Sequence, residues 1–367
     1  MATRRQTSAG SESKPSTRPA AAPSSTSVDS FRSIVWSGSV PLSIALDPSE
    51  LPSGADRSIE CFYIQAPRVS YLPLLLPTIR KHLIELCLDE SSAAALSDDS
   101  LWFEAADEAW RWHWPIGLLY DFHNAALGVP HPAKASTLGK RPEVPLRLTL
   151  HLHSPPADRL LTGPALDGCR ANFMNMVKEA DYVRWGSTRR VTALRKADQD
   201  ALWESVVEHD FAKYWSVASK LVPVASDGGL GSSTSGGNGG GVPSSILAER
   251  LPDAMAMRSV PMRFYLPEGV PVIQDLVPPL GSDGGSTRAQ SRLTAAGQPT
   301  TLLSILSTLF PLLFPPRSTN MTASFVSARP LGRAIVQGID CPLDAHVAWL
   351  GSALAGADGW CAVVIVL

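Results

Sequence analysis

Two stretches of this 367-residue chain carry nearly the same order of elements, although their sequences do not repeat. The clearest element is "VPLRLTLHLH", where Leu146, Leu148, Leu150 and Leu152 alternate with Arg147, Thr149 and His151. That period of two belongs to a strand with one buried face. Upstream, "SFRSIVWSGSVPLSIAL" predicts a strand, a turn at Ser37-Gly38 and a second strand; "SIECFYIQAP" is a third strand or the continuation of that hairpin. Leu76, Ile79, Leu83, Leu86 and Leu88 are spaced for one helix in "YLPLLLPTIRKHLIELCL", with Pro77 in its first turn. "SLWFEAADEAWRWHWP" reads as two short strands around a turn at Ala105 to Glu108, and "IGLLYDFHNA" as a short helix.

The second stretch opens on a strand in which Val260, Met262, Phe264 and Leu266 alternate with Pro261, Arg263 and Tyr265. A second strand follows in the same segment, then the apolar helix "PTTLLSILSTLFPLLF" and a strand at Arg329 to Ile339. The short helix "DAHVAWLGSAL" and the strand "WCAVVIVL" complete it. Such an order lets one helix cross one face of a small mixed sheet. Each stretch therefore predicts a ubiquitin-like β-grasp domain.

Between them the periodicity is helical. Phe173, Val177, Ala180 and Arg184 share one side of "DGCRANFMNMVKEADYVRWG". A stronger stripe runs through Trp203, Val207, Phe211, Tyr214, Trp215, Ala218 and Leu221. The fold class is thus α+β, two β-grasp domains flanking a helix-rich one. Composition sets the divisions: a disordered Ser/Thr/Pro/Ala tail at 1–28, a first β-grasp domain at 29–155, and helices at 156–225. A flexible Gly/Ser insert and linker at 226–256 leads to the second β-grasp domain at 257–367.

Several function classes are excluded at this level. Lys and Arg number 32 against 34 Asp and Glu, so no global cationic field favours nucleic acid. Cys61, Cys87, Cys169, Cys341 and Cys361 are odd in number and far apart, with no CxxC, which fits a reducing cytosolic compartment. The N-terminus lacks the apolar core of a secretory signal. The apolar run "LLSILSTLFPLLF" is too short for a bilayer and reads as a buried helix.

Nor do the residues assemble a catalytic or cofactor site. GxSxG, HExxH, GxGxxG and the phosphate-loop pattern are all absent. His151 and His153 share a strand face, but no carboxylate or cysteine lies at ligand spacing, so a solvated edge is expected and no metal. Trp110, Trp112 and Trp114 alternate, as if covering one sheet face with His113 on the other, either as core packing or as a partner-binding groove. Asp121 and His123, two apart on a helix, do not face each other as a dyad would. The chain stops in "VVIVL" rather than a Gly-Gly tail, so it is expected to receive or hold a modifier rather than be one. Spacing alone does not distinguish Lys178 from Lys196 or Lys213.

"VWSGSVPLSIAL", "PRVSYLPLL" at Pro67 to Leu75, "LWFE" at Leu101 to Glu104 and "WHWPIGLLYD" at Trp112 to Asp121 carry a resemblance to the autophagy protein 5 family. "FMNMVKEAD" at Phe173 to Asp181 and "IVQGIDCPLDAHVAWLGSALAGADGW" at Ile335 to Trp360 extend it. The resemblance implies a scaffold without catalytic residues or cofactors, made by separate activating and conjugating enzymes into an isopeptide with the ubiquitin-like autophagy protein 12. It puts the acceptor at Lys178, just ahead of Glu179 and Asp181, two acids expected to favour its charged ammonium. It also implies a groove for a helix of the coiled-coil autophagy protein 16. Together these promote lipidation of autophagy protein 8 with phosphatidylethanolamine during autophagosome formation. The expected location is the cytoplasm, peripherally on the preautophagosomal structure and isolation membrane. An unconjugated ubiquitin-like adaptor is the alternative.

Overall fold

The computed structural model describes residues 27–128, 143–161, 165–223, 254–267, 269–281, 297–315 and 330–367. The Gly/Ser insert, nearly all of the expected tail and most of the loop after Gly281 lie outside them. The first domain contains β1 (Ser39–Leu46), β2 (Phe62–Pro67), α2 (Leu72–Ile79), β3 (Trp102–Ala105), β4 (Glu108–Ala109), α5 (Ile116–Ala126) and β5 (Leu146–His151). Short turns α3 (Glu85–Cys87) and α4 (Glu90–Ala95) follow α2, and α1 (Ser27–Trp36) precedes β1. The second contains β6 (Val260–Tyr265), β7 (Ile273–Val277), α10 (Leu302–Leu309), β8 (Arg333–Val336), β9 (Ile339–Asp340), α11 (Val347–Ala353) and β10 (Cys361–Val366).

The sheet orders are β2-β1-β5-β3-β4 and β7-β6-β10-β8-β9, the same topology twice. In each, the closing strand runs parallel beside the opening one, Leu42 opposite Leu146 and Phe264 opposite Val363. The alternation predicted for β5 is realised: Leu146, Leu148 and Leu150 are buried under Leu72, Leu76, Ile79 and Leu83 of the crossing helix. Met262, Phe264, Val363 and Ile365 lie likewise under Leu302, Ile305 and Leu306. Each such side chain contributes about 1.5–3 kcal/mol on burial.

Several local expectations are corrected. The segment read as a first strand is the helix α1, because Val28, Phe31 and Val35 recur at helical spacing and pack on the second domain. The long helix starts at Leu72 with Pro73 in its first turn, where a missing N–H costs nothing. Pro77 lies inside it, and a π turn at Arg80–Ile84 continues it to Cys87. The single strand expected at Arg329 to Ile339 is the hairpin β8–β9, turned by Gln337 and Gly338 at φ 52° and 76°.

The second helical stripe also divides, into α8 (Lys196–Glu208) and α9 (Phe211–Ala218). His209 adopts φ 54° between them, and Asp210 caps α9 by accepting from the Lys213 amide at 3.0 Å. The break puts Val207 in solvent and leaves Phe211 and Trp215 half-buried, while Trp203 and Tyr214 enter the core. With α6 (Ala165–Trp185) and the short α7 (Arg189–Thr192), these form the helical unit.

The three units share faces. Leu118, Phe122 and Ala125 of α5 cover the outer face of the second sheet at Tyr265, Ile335, Val364 and Val366. Helix α1 packs Phe31 at a tilt against Trp349 and lays Arg32 over Trp215 at 4.3 Å. The three tryptophans expected on one sheet face diverge, because β4 ends at Ala109. Trp110 enters the first core, Trp112 donates to the Leu161 carbonyl at 2.9 Å, and Trp114 packs edge-on against Tyr265. No helix among the described residues is long and apolar enough to cross a membrane.

Candidate functional site

Helix α6 runs between the second sheet and the other helices, and its three flanks have different neighbours. Phe173, Val177, Ala180 and Arg184 are buried, as their spacing predicts. The Arg184 guanidinium donates to the Gly359 carbonyl, and burial lowers its pKa to about 10. At about 100° per residue, Met176 and Glu179 turn toward the second domain. There Arg263 reaches Glu179 at 3.0 Å and the Met176 sulfur at 2.9 Å, and lies 4.0 Å over the Trp360 ring. Trp360 in turn donates to the Met176 carbonyl at 3.1 Å.

Lys178 falls on the remaining flank, half-buried, one turn from the exposed Tyr182. The two acids beside it in sequence do not hold it, contrary to expectation. Glu179 is turned away onto Arg263. Asp181 is buried and accepts from the Val191 amide at 3.3 Å, with burial raising its pKa. Among the described residues no salt bridge involves Lys178, whereas Lys213 is paired with Glu204 at 2.7 Å and Lys220 with Asp198 at 3.2 Å. Lys196 is exposed at the start of α8 and also without an ion pair.

Two hollows share Leu161: the first belongs to the first domain and the segment after it, and the second lies at the seam of the three units. The first, about 390 Å³, lies between Leu72, Leu76, Trp102, Trp110, Trp112 and Pro156. The second, about 380 Å³, is bounded by His113, Trp114, Met176, Arg263, Tyr265 and Trp360. Burial, and then the charges of Arg111 and Arg263, hold the His113 pKa down to about 4. Asp121 and His123 remain apart: His123 meets Trp110 edge-on, and Asp121 accepts from Arg68 and from the Gly338 amide.

His151 is the largest departure from the sequence reading. Strand β5 lies between β1 and β3 rather than at an edge, and His151 is only 8% exposed. Its Nδ1 meets Glu50 at 2.9 Å and Asp47 at 3.2 Å, carboxylates that no local spacing could have placed there. His153, two residues on, is exposed as expected.

Two β-grasp sheets of one topology, joined through a helical unit that offers a free lysine and a composite groove, define a ubiquitin-like scaffold. Family models match it unit by unit: "Autophagy protein ATG5, UblA domain" over residues 35–152, "alpha-helical bundle region" over 166–224, and "UblB domain" over 259–365. The chain belongs to the autophagy protein 5 family. It is 30% identical to autophagy protein 5 of Phaeosphaeria nodorum, covering 92% of this chain and 96% of that one. With autophagy protein 5 of Aspergillus oryzae the identity is 31%, covering 92% and 97%. The crystal structure of Kluyveromyces marxianus Atg5 has the same fold, with a TM-score of 0.60 at 18% identity over 92% of this chain and 99% of that one.

Proposed function

We propose that this chain is a non-catalytic conjugation scaffold of autophagy, joined through Lys178 to the C-terminal glycine of autophagy protein 12. The carrying observation is the position of Lys178, on the outward flank of α6 with both neighbouring acids engaged elsewhere. Its amine, once deprotonated in the conjugating enzyme's site, attacks the modifier's thioester carbonyl; the enzyme's thiolate leaves and an isopeptide bond remains. Separate enzymes supply activation, so the scaffold contributes presentation only. The groove shared by the three units is suited to an amphipathic helix, which we assign to the coiled-coil autophagy protein 16. The assembled complex then acts like a ligase for lipidation of autophagy protein 8, from the cytoplasm and peripherally on the preautophagosomal and isolation membranes.

Reconstitution with the activating enzyme, the conjugating enzyme, ATP and the modifier tests this assignment. Lys178→Arg is expected to abolish the adduct while leaving the fold intact, since Arg keeps charge and helix propensity but not a transferable amine. An adduct that persists in the variant at the unaltered rate, or maps to Lys196, overturns the assignment.

A further inference from the structure

The loop after β1 and the end of β5 bring Asp47, Glu50 and His151 together on the outer face of the first sheet, with Glu104 of β3 beyond the ring. One ligand atom from each of Asp47, Glu50 and His151 lies within 4.8 Å of the other two. We propose that these three side chains bind a divalent transition cation of the zinc type.

The first argument is charge. Three carboxylates surround one imidazole of a buried histidine, whose side chain is 11% exposed. Among the described residues no Lys or Arg forms a salt bridge with any of them, so the imidazole is the one basic side chain facing the three carboxylates. Nδ1 carries one hydrogen at most, yet two carboxylate oxygens approach it, at 2.9 and 3.2 Å. Ligands bound about 2.0–2.2 Å from one ion lie roughly 3.0–3.5 Å apart, so small side-chain shifts would admit it.

The second argument is the support around these atoms. Glu50 Oε2 accepts from the Leu152 and His153 amides, which aims Oε1 at the ring. Asp47 Oδ1 accepts from the Ser49 amide at 2.8 Å and its hydroxyl at 2.7 Å, leaving Oδ2 toward the same point. The Trp102 ring stacks on the imidazole at 3.9 Å and fixes its plane. His151 Nε2 is buried without a hydrogen-bond partner and faces Glu104 Oε2 at 3.9 Å. That is the direction in which a metal-bound histidine donates its second N–H to an outer carboxylate. An imidazole ligand favours zinc-like ions over magnesium or calcium. Asp47 and Glu50 each keep about a fifth of their side-chain surface exposed, at 22% and 21%, so an ion can enter from solvent.

Full-length protein stripped with chelator and titrated with Zn²⁺ in calorimetry tests the site, with Co²⁺ absorption as the second probe. One equivalent of Zn²⁺ should bind with a dissociation constant of micromolar or lower, and the d–d spectrum of bound Co²⁺ should show nitrogen and oxygen ligands. Asp47→Asn and Glu50→Gln, both at partly exposed positions, should each weaken binding at least tenfold and remove the thermal shift produced by Zn²⁺. Absence of saturable binding, or binding equally tight in the Asp47→Asn/Glu50→Gln double variant, overturns the proposal. His151→Gln is not needed for the decision, which avoids a variant that fails to fold.

Discussion

Arg68 and Asp121 meet at 2.5 Å where the first domain abuts the second, and the same Asp121 oxygen accepts from the Gly338 amide at 2.8 Å. The Arg68 side chain threads a passage lined by Gly38, Gly117 and Gly338, where an added Cβ would approach it to 2.9, 2.8 and 3.0 Å. Both side chains are almost fully buried. Removing one member leaves the other charge unpaired, so Asp121→Ala should cost about 3–5 kcal/mol. Urea unfolding measures this; a midpoint unchanged from the parent protein would mean that the pair does not hold the seam.

Trp203 and Trp215 separate core from rim in the helical unit. Trp203 packs between Tyr71 and Phe173 and is 6% exposed, so Trp203→Ala should cost about 3–5 kcal/mol. Trp215 is half-buried, parallel to Phe211 and beneath Arg32. Its replacement by Ala should cost about 1–2 kcal/mol. Equal losses in denaturant titrations would contradict the observed break at His209.

His113 predicts a pH dependence of stability. Its folded pKa is near 4, while the unfolded value is about 6.5. Between these values the unfolded chain binds a proton that the native protein refuses, so stability falls as pH drops through the window. The contribution is at most about 3 kcal/mol. Unfolding free energies at pH 7 and pH 4.5 should differ less in His113→Gln than in the parent; an identical slope in both would assign the effect to other groups.

Elements whose periodicity is local were legible without coordinates. The leucine alternation of β5 and the buried stripe of α6 need only their own neighbours to define a face, and two such sets in order limit the architecture to paired β-grasp sheets. Lys178 could be singled out only through the family resemblance, since its spacing is that of any helix-surface lysine. The misread elements share a physical cause. In α1, β-branched content suggested a strand, but the second domain offers Val28, Phe31 and Val35 a helical docking face, and tertiary burial outweighs weak propensity. At Trp110 to Trp114 a two-residue period continues past the end of a strand, so each ring finds a different partner.

Contacts across long sequence separations were decided by the fold alone. Asp47 and Glu50 stand about a hundred residues from His151, and Asp121 stands farther still from Gly338. Hydrophobic patterning specifies which face of an element is dry, because each residue's burial depends on a local period. It does not specify which charged groups meet on the outer faces, because those meetings depend on strand register and on how three separate units dock. Strand register placed a histidine expected in solvent among three carboxylates, and docking turned Glu179 away from the lysine beside it.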